Sequence, residues 1–280
     1  MKLKFWGARG SIPVSGVEYV KYGGSTTCVE ISAGGETLII DAGSGIRKLG
    51  LELISRGAKK INLIFTHSHW DHILGFPFFK PIYRKDIEIN VYGCPFAQQS
   101  VKNMISGTMA PPRFPVKFED ISAKINYFGS CDKMFSIGPL TVIPISLSHP
   151  NMGIGYRFSE GKKVFVFLTD NELGFRHPGG MLPEDYKNFA AAADLLVHDA
   201  EYRNDEYASV KGWGHSTFQQ AFQLAASAGV KSLGMFHHNQ ERADAGVDAM
   251  LAECRALATG SASGSKINIF AAAEGQEVEL

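Results

Sequence analysis

Apolar positions along the chain follow two rhythms. Runs dense in β-branched and aromatic residues come first: KLKFW, then TCVEIS and TLIID, separated by the glycines at 23, 24, 34 and 35, which predicts successive strands with tight turns. After Asp41 the period changes. Ile46, Leu49, Leu53 and Ile54 recur at helical spacing and Gly57 follows as a C-terminal cap, so a helix precedes the next apolar run, INLIFT. The two rhythms then alternate, with strands predicted at IEINVY, LTVIPISL, IGYRF, VFVFLT, DLLVH, SLGMF and KINIFA and helices over 96–106, 183–193, 217–228 and 244–258. Ser216 and Gln219 stand at capping-box spacing before an apolar face of Phe218, Ala221, Phe222 and Ala225, and Gly229 follows its end. Val247, Met250, Leu251, Cys254 and Leu257 form a second buried stripe. No linker, charge block or repeat interrupts the series, so residues 1–280 are read as one domain with a layered α/β architecture. The least regular stretch, 94–136, contains PPRFPV and is expected to be either a packed loop or a lid or dimer surface beside the active site.

Composition changes this picture mainly by exclusion. Of 280 residues, 45% are hydrophobic and 20% charged, the balance of an ordinary globular core. With 28 Lys+Arg against 28 Asp+Glu, no overall field gathers a polyanion, so no extended nucleic-acid-binding surface is expected, while small anionic substrates remain allowed. The longest apolar runs, such as VFVFL at 164–168, are far too short to cross a bilayer. Met1 to Trp6 reads as a strand rather than a secretory leader, which makes the cytoplasm the expected location. Cys28, Cys94, Cys131 and Cys254 lie apart without a CxxC pair and are expected to be buried, inert thiols.

The chemistry is densest directly after INLIFT. THSHWDH places His67, His69, Asp71 and His72 within six positions at the carboxyl end of a predicted buried strand. Imidazole nitrogen and carboxylate oxygen are donors that Zn²⁺ accepts, but one ion cannot use all four comfortably. A second ion requires further ligands, and three candidates stand where strands deliver their carboxyl ends: His149 after LTVIPISL, Asp170 at the end of VFVFLT and His237 after SLGMF. Any one of these taken alone would read as a core or surface residue. Together they would be costly to hold unless a cation neutralised and oriented them.

THSHWDH, SHP at 148–150, TD at 169–170 and FHH at 236–238 resemble, in chain order, the ligand series of the metallo-beta-lactamase superfamily, and LIIDAGSG at 38–45 resembles its Asp-x-Gly turn. The resemblance implies a four-layer αββα metallo-beta-lactamase sandwich holding two divalent metal ions, Zn²⁺ first, with Mn²⁺ and Fe²⁺ also compatible. It implies that His67, His69 and His149 bind one ion, that Asp71, His72 and His237 bind the other, that Asp170 bridges them and that Asp41 lies beneath. GSTTC at 24–28, HPNMGIGYRF at 149–158, LLVHDAEY at 195–202 and GHS at 214–216 resemble more narrowly the branch containing tRNase Z and cyclic phosphodiesterases. In that branch an acidic residue orients a histidine that protonates the leaving oxygen, and the matching positions here are Asp199 and His215. His215 also precedes a predicted helix whose positive end suits a phosphate.

The implied activity is hydrolysis of a phosphodiester by a hydroxide shared between two metals, with His215 as general acid and Asp71 open to two roles, metal ligand and acceptor of the nucleophile's proton. Long tRNA-processing members of the branch carry a basic, Gly-rich arm, but here only SEGKK joins GYRF to VFVFLT. That spacing and the neutral charge favour a small substrate, a cyclic nucleotide or cyclic phosphate, acted on by a homodimer as is common in the branch. A tRNA 3′-processing endonuclease stays open as the alternative, as does a carboxyl-ester, lactone or thioester hydrolase, which would not call for Asp199 and His215. A non-catalytic binding module is disfavoured because every ligand position is filled. Tyr156 and Arg157 read as part of a core strand, and His177, His198 and His238 as a surface residue, a strand residue and a close neighbour of the ligands.

Overall fold

The computed structural model describes residues 1–93, 101–129, 134–260 and 266–280. The first half supplies β1 (Lys2–Gly7), β2 (Cys28–Ala33), β3 (Glu36–Ile40), β4 (Lys60–Ile64), β5 (Glu88–Gly93) and β6 (Lys124–Gly129). The second supplies β7 (Phe135–Ile137), β8 (Leu140–Leu147), β9 (Gly153–Glu160), β10 (Lys163–Leu168), β11 (Leu195–Asp199), β12 (Ser232–Phe236) and β13 (Asn268–Ala271), and β14 (Glu277–Glu279) returns to the first sheet. The orders are β14-β1-β2-β3-β4-β5-β6 and β13-β12-β11-β10-β9-β8-β7. Each sheet is antiparallel over one half and parallel over the other: β3 through β6 pair in parallel, as do β10 through β13. The parallel halves matter most, because their strands deliver residues to the same edge of the sandwich.

Helices α1 (Ile46–Ser55), α3 (Val101–Thr108), α4 (Pro183–Ala190), α6 (Phe218–Ala228) and α7 (Asp244–Thr259) cover the outer faces, while the short α2 (Trp70–Ile73) and α5 (Asn204–Val210) stand in the connections after β4 and β11. Alternation along β10 explains the layering. Phe165 and Phe167 point into the inter-sheet core with Phe5, Ile31, Phe158 and Phe236, whereas Val166 and Leu168 point outward to Tyr186, Phe218 and Ala221 under the helices. On the other sheet Ile39 and Leu63 pack outward against Ile46, Leu49 and Leu53 of α1. The result is the expected four-layer αββα arrangement. Phe167 meets Phe236 edge-on with ring centroids 5.3 Å apart, and burial of each such ring contributes about 1.5–3 kcal/mol. No helix among the described residues is long and apolar enough to cross a membrane.

Several local details differ from the sequence pattern. The cap of α6 is Thr217, not Ser216: Thr217 Oγ1 accepts from Gln220 N at 3.2 Å, and Gln220 Oε1 accepts from Thr217 N at 3.0 Å. Ser216 is unavailable because its hydroxyl donates to the Asn171 carbonyl at 2.6 Å and accepts from Leu173 N at 3.0 Å. Helix α5 and strands β6, β7 and β14 were not evident in the pattern, since α5 buries no residue and the strands show little alternation. The helix expected over 96–106 is described only from Val101, and it runs on to Thr108. Cys28 and Cys254 are buried thiols as expected, whereas Cys94 and Cys131 lie outside the described residues.

Candidate dinuclear metal centre

The parallel strands end in polar residues at one edge of the sandwich. Asp41 follows β3, the THSHWDH segment follows β4, Asp170 follows β10, Asp199 ends β11 and His237 follows β12, while His149 arrives from β8. His69 caps the one-turn helix α2 and the His72 N–H donates to the His69 carbonyl at 3.0 Å, so the chain turns back and aims its donors at one region. Asp41, Asp170 and His237 have φ of 62°, 53° and 59°, a left-handed backbone that costs non-glycine residues about 1–3 kcal/mol each. Gly10 lets the N-terminal loop cross this edge, since a Cβ there would lie 2.3 Å from the His237 ring. The next residue closes the contact: Ser11 N donates to Asp71 Oδ2 at 2.9 Å.

Two groups of donor atoms form as a result. Ligand atoms of His67, His69, His149 and Asp170 lie within 4.8 Å of one another, and so do those of Asp71, His72, Asp170 and His237. Asp170 is common to both. All seven are buried except His69, which is half-buried and marks the opening to solvent. The distal ring nitrogens of three histidines are already committed. His72 Nδ1 faces Asp41 Oδ2 at 2.8 Å, His237 Nδ1 faces Glu201 Oε2 at 2.9 Å, and His149 Nδ1 donates to the Gly214 carbonyl at 2.9 Å. Each therefore turns Nε2 inward, the arrangement by which ligand histidines are oriented.

Metal ions fit this donor set. His67 Nε2 and His72 Nε2 are buried without a hydrogen-bond partner, which is costly unless a cation takes their lone pairs. Burial works to raise the Asp170 and Asp71 carboxyls, yet the neighbouring histidines hold both well below the usual carboxylate range. Burial likewise drives His67 well down and His149 down to about 3, keeping these imidazoles neutral and able to coordinate. Asp41, expected beneath the metals, is fully buried and takes Thr66 N at 2.7 Å and Thr66 Oγ1 at 2.6 Å besides His72.

Beside the second group stands a histidine with carboxylates of its own. His215 Nδ1 lies 2.5 Å from Asp199 Oδ2 and 3.4 Å from Glu201 Oε2, and its ring stacks on His237 with centroids 4.6 Å apart. Burial pulls His215 down, but Glu201 and Asp199 outweigh it and hold its pKa up to about 9. Asp199 thus meets His215 as the sequence motif implied. Glu201 was missed, although it stands two residues on in the same HDAEY segment; alternation along a strand that continues past Asp199 would have put it on the same face. His198 is a buried strand residue as expected. His177 is not a surface residue: it is buried, with Nε2 2.8 Å from Glu172 Oε2, because the loop after β10 folds back under the site. His238 neighbours the ligands only in sequence, for its ring faces the Ala272 carbonyl at 2.8 Å and Tyr22.

A family model for the beta-lactamase superfamily domain matches residues 36–238. The chain belongs to the beta-lactamase superfamily. It is a metal-dependent hydrolase of that family, and its His/Asp groups are compatible with a dinuclear metal site. Among curated relatives, Ribonuclease Z of Haloarcula marismortui is 23% identical over 299 residues, covering 91% of this chain and 91% of the relative. The solved structure of human tRNase Z, short form, matches at a TM-score of 0.64 and 18% identity over 100% of this chain and 99% of its own. A diphosphatase from the PhnP family matches at a TM-score of 0.70 and 18% identity over 100% of this chain and 97% of its own. At these identities the structural matches speak for the fold, a metallo-beta-lactamase sandwich.

Proposed function

We propose that this superfamily member is a phosphodiesterase that cleaves RNA, with endonucleolytic 3′ processing of tRNA as the favoured substrate reading. The pair that carries the phosphodiesterase reading is Asp199–His215 at 2.5 Å, set beside the metal-binding groups. His67, His69 and His149 would hold one ion, Asp71, His72 and His237 the other, and Asp170 both. When bound, two divalent cations, Zn²⁺ in our reading, supply Lewis acidity toward phosphate oxygens and a water of lowered pKa. Asp41 and Glu201 keep the protons of His72 and His237 on Nδ1, away from the ligand shell. Asp199 does the same for His215, which leaves its Nε2 proton for the departing sugar oxygen.

The RNA reading displaces the small cyclic substrate that charge and spacing favoured. It is supported by the curated relatives named Ribonuclease Z, one of which covers 91% of the chain. Two exposed indoles, Trp70 beside the half-buried His69 and Trp213 beside Gly214, also suit stacking on unpaired bases. A small phosphodiester is the second reading, favoured by the tight hairpin in which only Gly161 and Lys162 separate β9 from β10. We further read the chain as a single cytoplasmic domain that pairs as a homodimer. A groove of about 630 Å³ beside exposed Val17, Val20 and Phe78 supports the pairing, which sedimentation would test.

Metal-loaded protein should be assayed on precursor tRNA, on cyclic mono- and dinucleotides and on bis-p-nitrophenyl phosphate. Cleavage of precursor tRNA with the higher kcat/KM is expected. Turnover of cyclic nucleotides alone would replace the RNA reading with the small-substrate one, and hydrolysis of none of them would end the phosphodiesterase reading.

A further inference from the structure

Three donors and a histidine ring nitrogen converge on one carboxylate outside the metal-binding groups. Glu172 Oε1 accepts from Tyr207 Oη at 2.6 Å and Gly212 N at 2.8 Å, while Oε2 accepts from Gly214 N at 2.8 Å and faces His177 Nε2 at 2.8 Å. The side chain is fully buried. A carboxylate offers acceptor lone pairs to Tyr207, Gly212 and Gly214 alike, whereas an amide would turn an NH₂ toward the partners of one of its two oxygens. The donors also share a location. Gly212 and Gly214 bracket the turn that leads into His215, with φ of 90° and 99°. The same turn bears on a ligand, since the Gly214 carbonyl accepts from His149 Nδ1 and a Cβ at 214 would lie 2.1 Å from that nitrogen. Asn171 and Leu173, on either side of Glu172, grip Ser216 just beyond.

We infer that Glu172 is a positioning residue for the general acid: its carboxylate holds the 211–215 turn so that His215 stands over the leaving oxygen. This rests on the reading of His215 as the proton donor. Because a phenolate leaves without a proton whereas a sugar alkoxide does not, a residue acting through His215 has a signature that a merely stabilising one lacks.

The test compares metal-loaded wild type, Glu172→Gln and His215→Ala on bis-p-nitrophenyl phosphate and on the substrate of the panel that releases a sugar hydroxyl. Glu172→Gln should lower kcat on the sugar substrate by about 10-fold or more, with KM and bound metal unchanged, and by less than about 2-fold on bis-p-nitrophenyl phosphate. The Gly212 and Gly214 amides should also lose hydrogen-exchange protection. Tyr207→Phe, which removes one outer donor, should show the same selectivity at smaller amplitude and serves if Glu172→Gln does not fold. Equal losses on both substrates, or no loss on either, would overturn the assignment of Glu172. If His215→Ala itself shows no preference between the leaving groups, the fault lies in the general-acid reading instead.

Discussion

The inter-sheet core and the cleft at its edge are built from the same strands under opposite rules. Phe158, Phe165, Phe167 and Phe236 sit in ordinary strand backbone and are stabilised by burial alone. Three residues beyond Phe167 and one beyond Phe236, Asp170 and His237 sit in left-handed backbone among buried, like and unlike charges. The core needs nothing beyond itself, whereas the cleft stores strain and unpaired nitrogens that a bound cation relieves. A rigid, apolar layer is what allows so unfavourable a set of donors to be held in place.

Four experiments sharpen this contrast, beginning with the largest effect. Asp170→Ala removes the residue shared by both donor groups and should depress hydrolysis by more than about 10³-fold with loss of bound metal, read by turnover and elemental analysis. Phe167→Ala cuts into the core instead and should lower unfolding free energy by about 3–5 kcal/mol in denaturant titrations while the metal stoichiometry of folded protein stays at the wild-type value. His215→Ala should reduce turnover of a sugar-leaving substrate by roughly 10²-fold with metal retained; unchanged turnover would remove it from the chemistry. The smallest effect lies far from the cleft. Burial would raise the Asp194 carboxyl, but Lys231 Nζ at 2.7 Å and Val164 N at 2.8 Å hold it below its usual value. Folding thus favours the ionised form, so the stabilisation is present above the ordinary carboxylate pKa and is lost as pH falls through the lowered one. Asp194→Asn should cost about 1 kcal/mol near neutral pH, with the difference from wild type closing in acid.

Much of the cleft was legible before any coordinates. HxHxDH concentrates donors within six residues, and His149, Asp170 and His237 each follow a short apolar run that reads as a strand, so strand ends located them. Glu172 was not legible, and Glu201 was legible only as a same-face neighbour of Asp199. The role of each comes from partners far along the chain, Gly212 and Gly214 in one case and His237 in the other. His177 failed for the same reason, since nothing local marks the loop around it as turned inward. Ser216 and Thr217 were both able to cap α6, and only the competing claim of Asn171 and Leu173 on Ser216 decided between them.

By itself the sequence determined the alternation of strands and helices, a layered α/β architecture and the identity of the seven clustered donors, because periodicity and dense ligand motifs are properties of neighbouring residues; the four-layer form of the sandwich was implied only by the resemblance to the metallo-beta-lactamase superfamily. Tertiary structure alone decided which nitrogen of each histidine faces inward, that Glu201 supports His237 and that Glu172 gathers the turn before His215. Those outcomes depend on buried hydrogen bonds between segments distant in the chain, whose direction is settled only when the layers pack and every polar group must find a partner away from water.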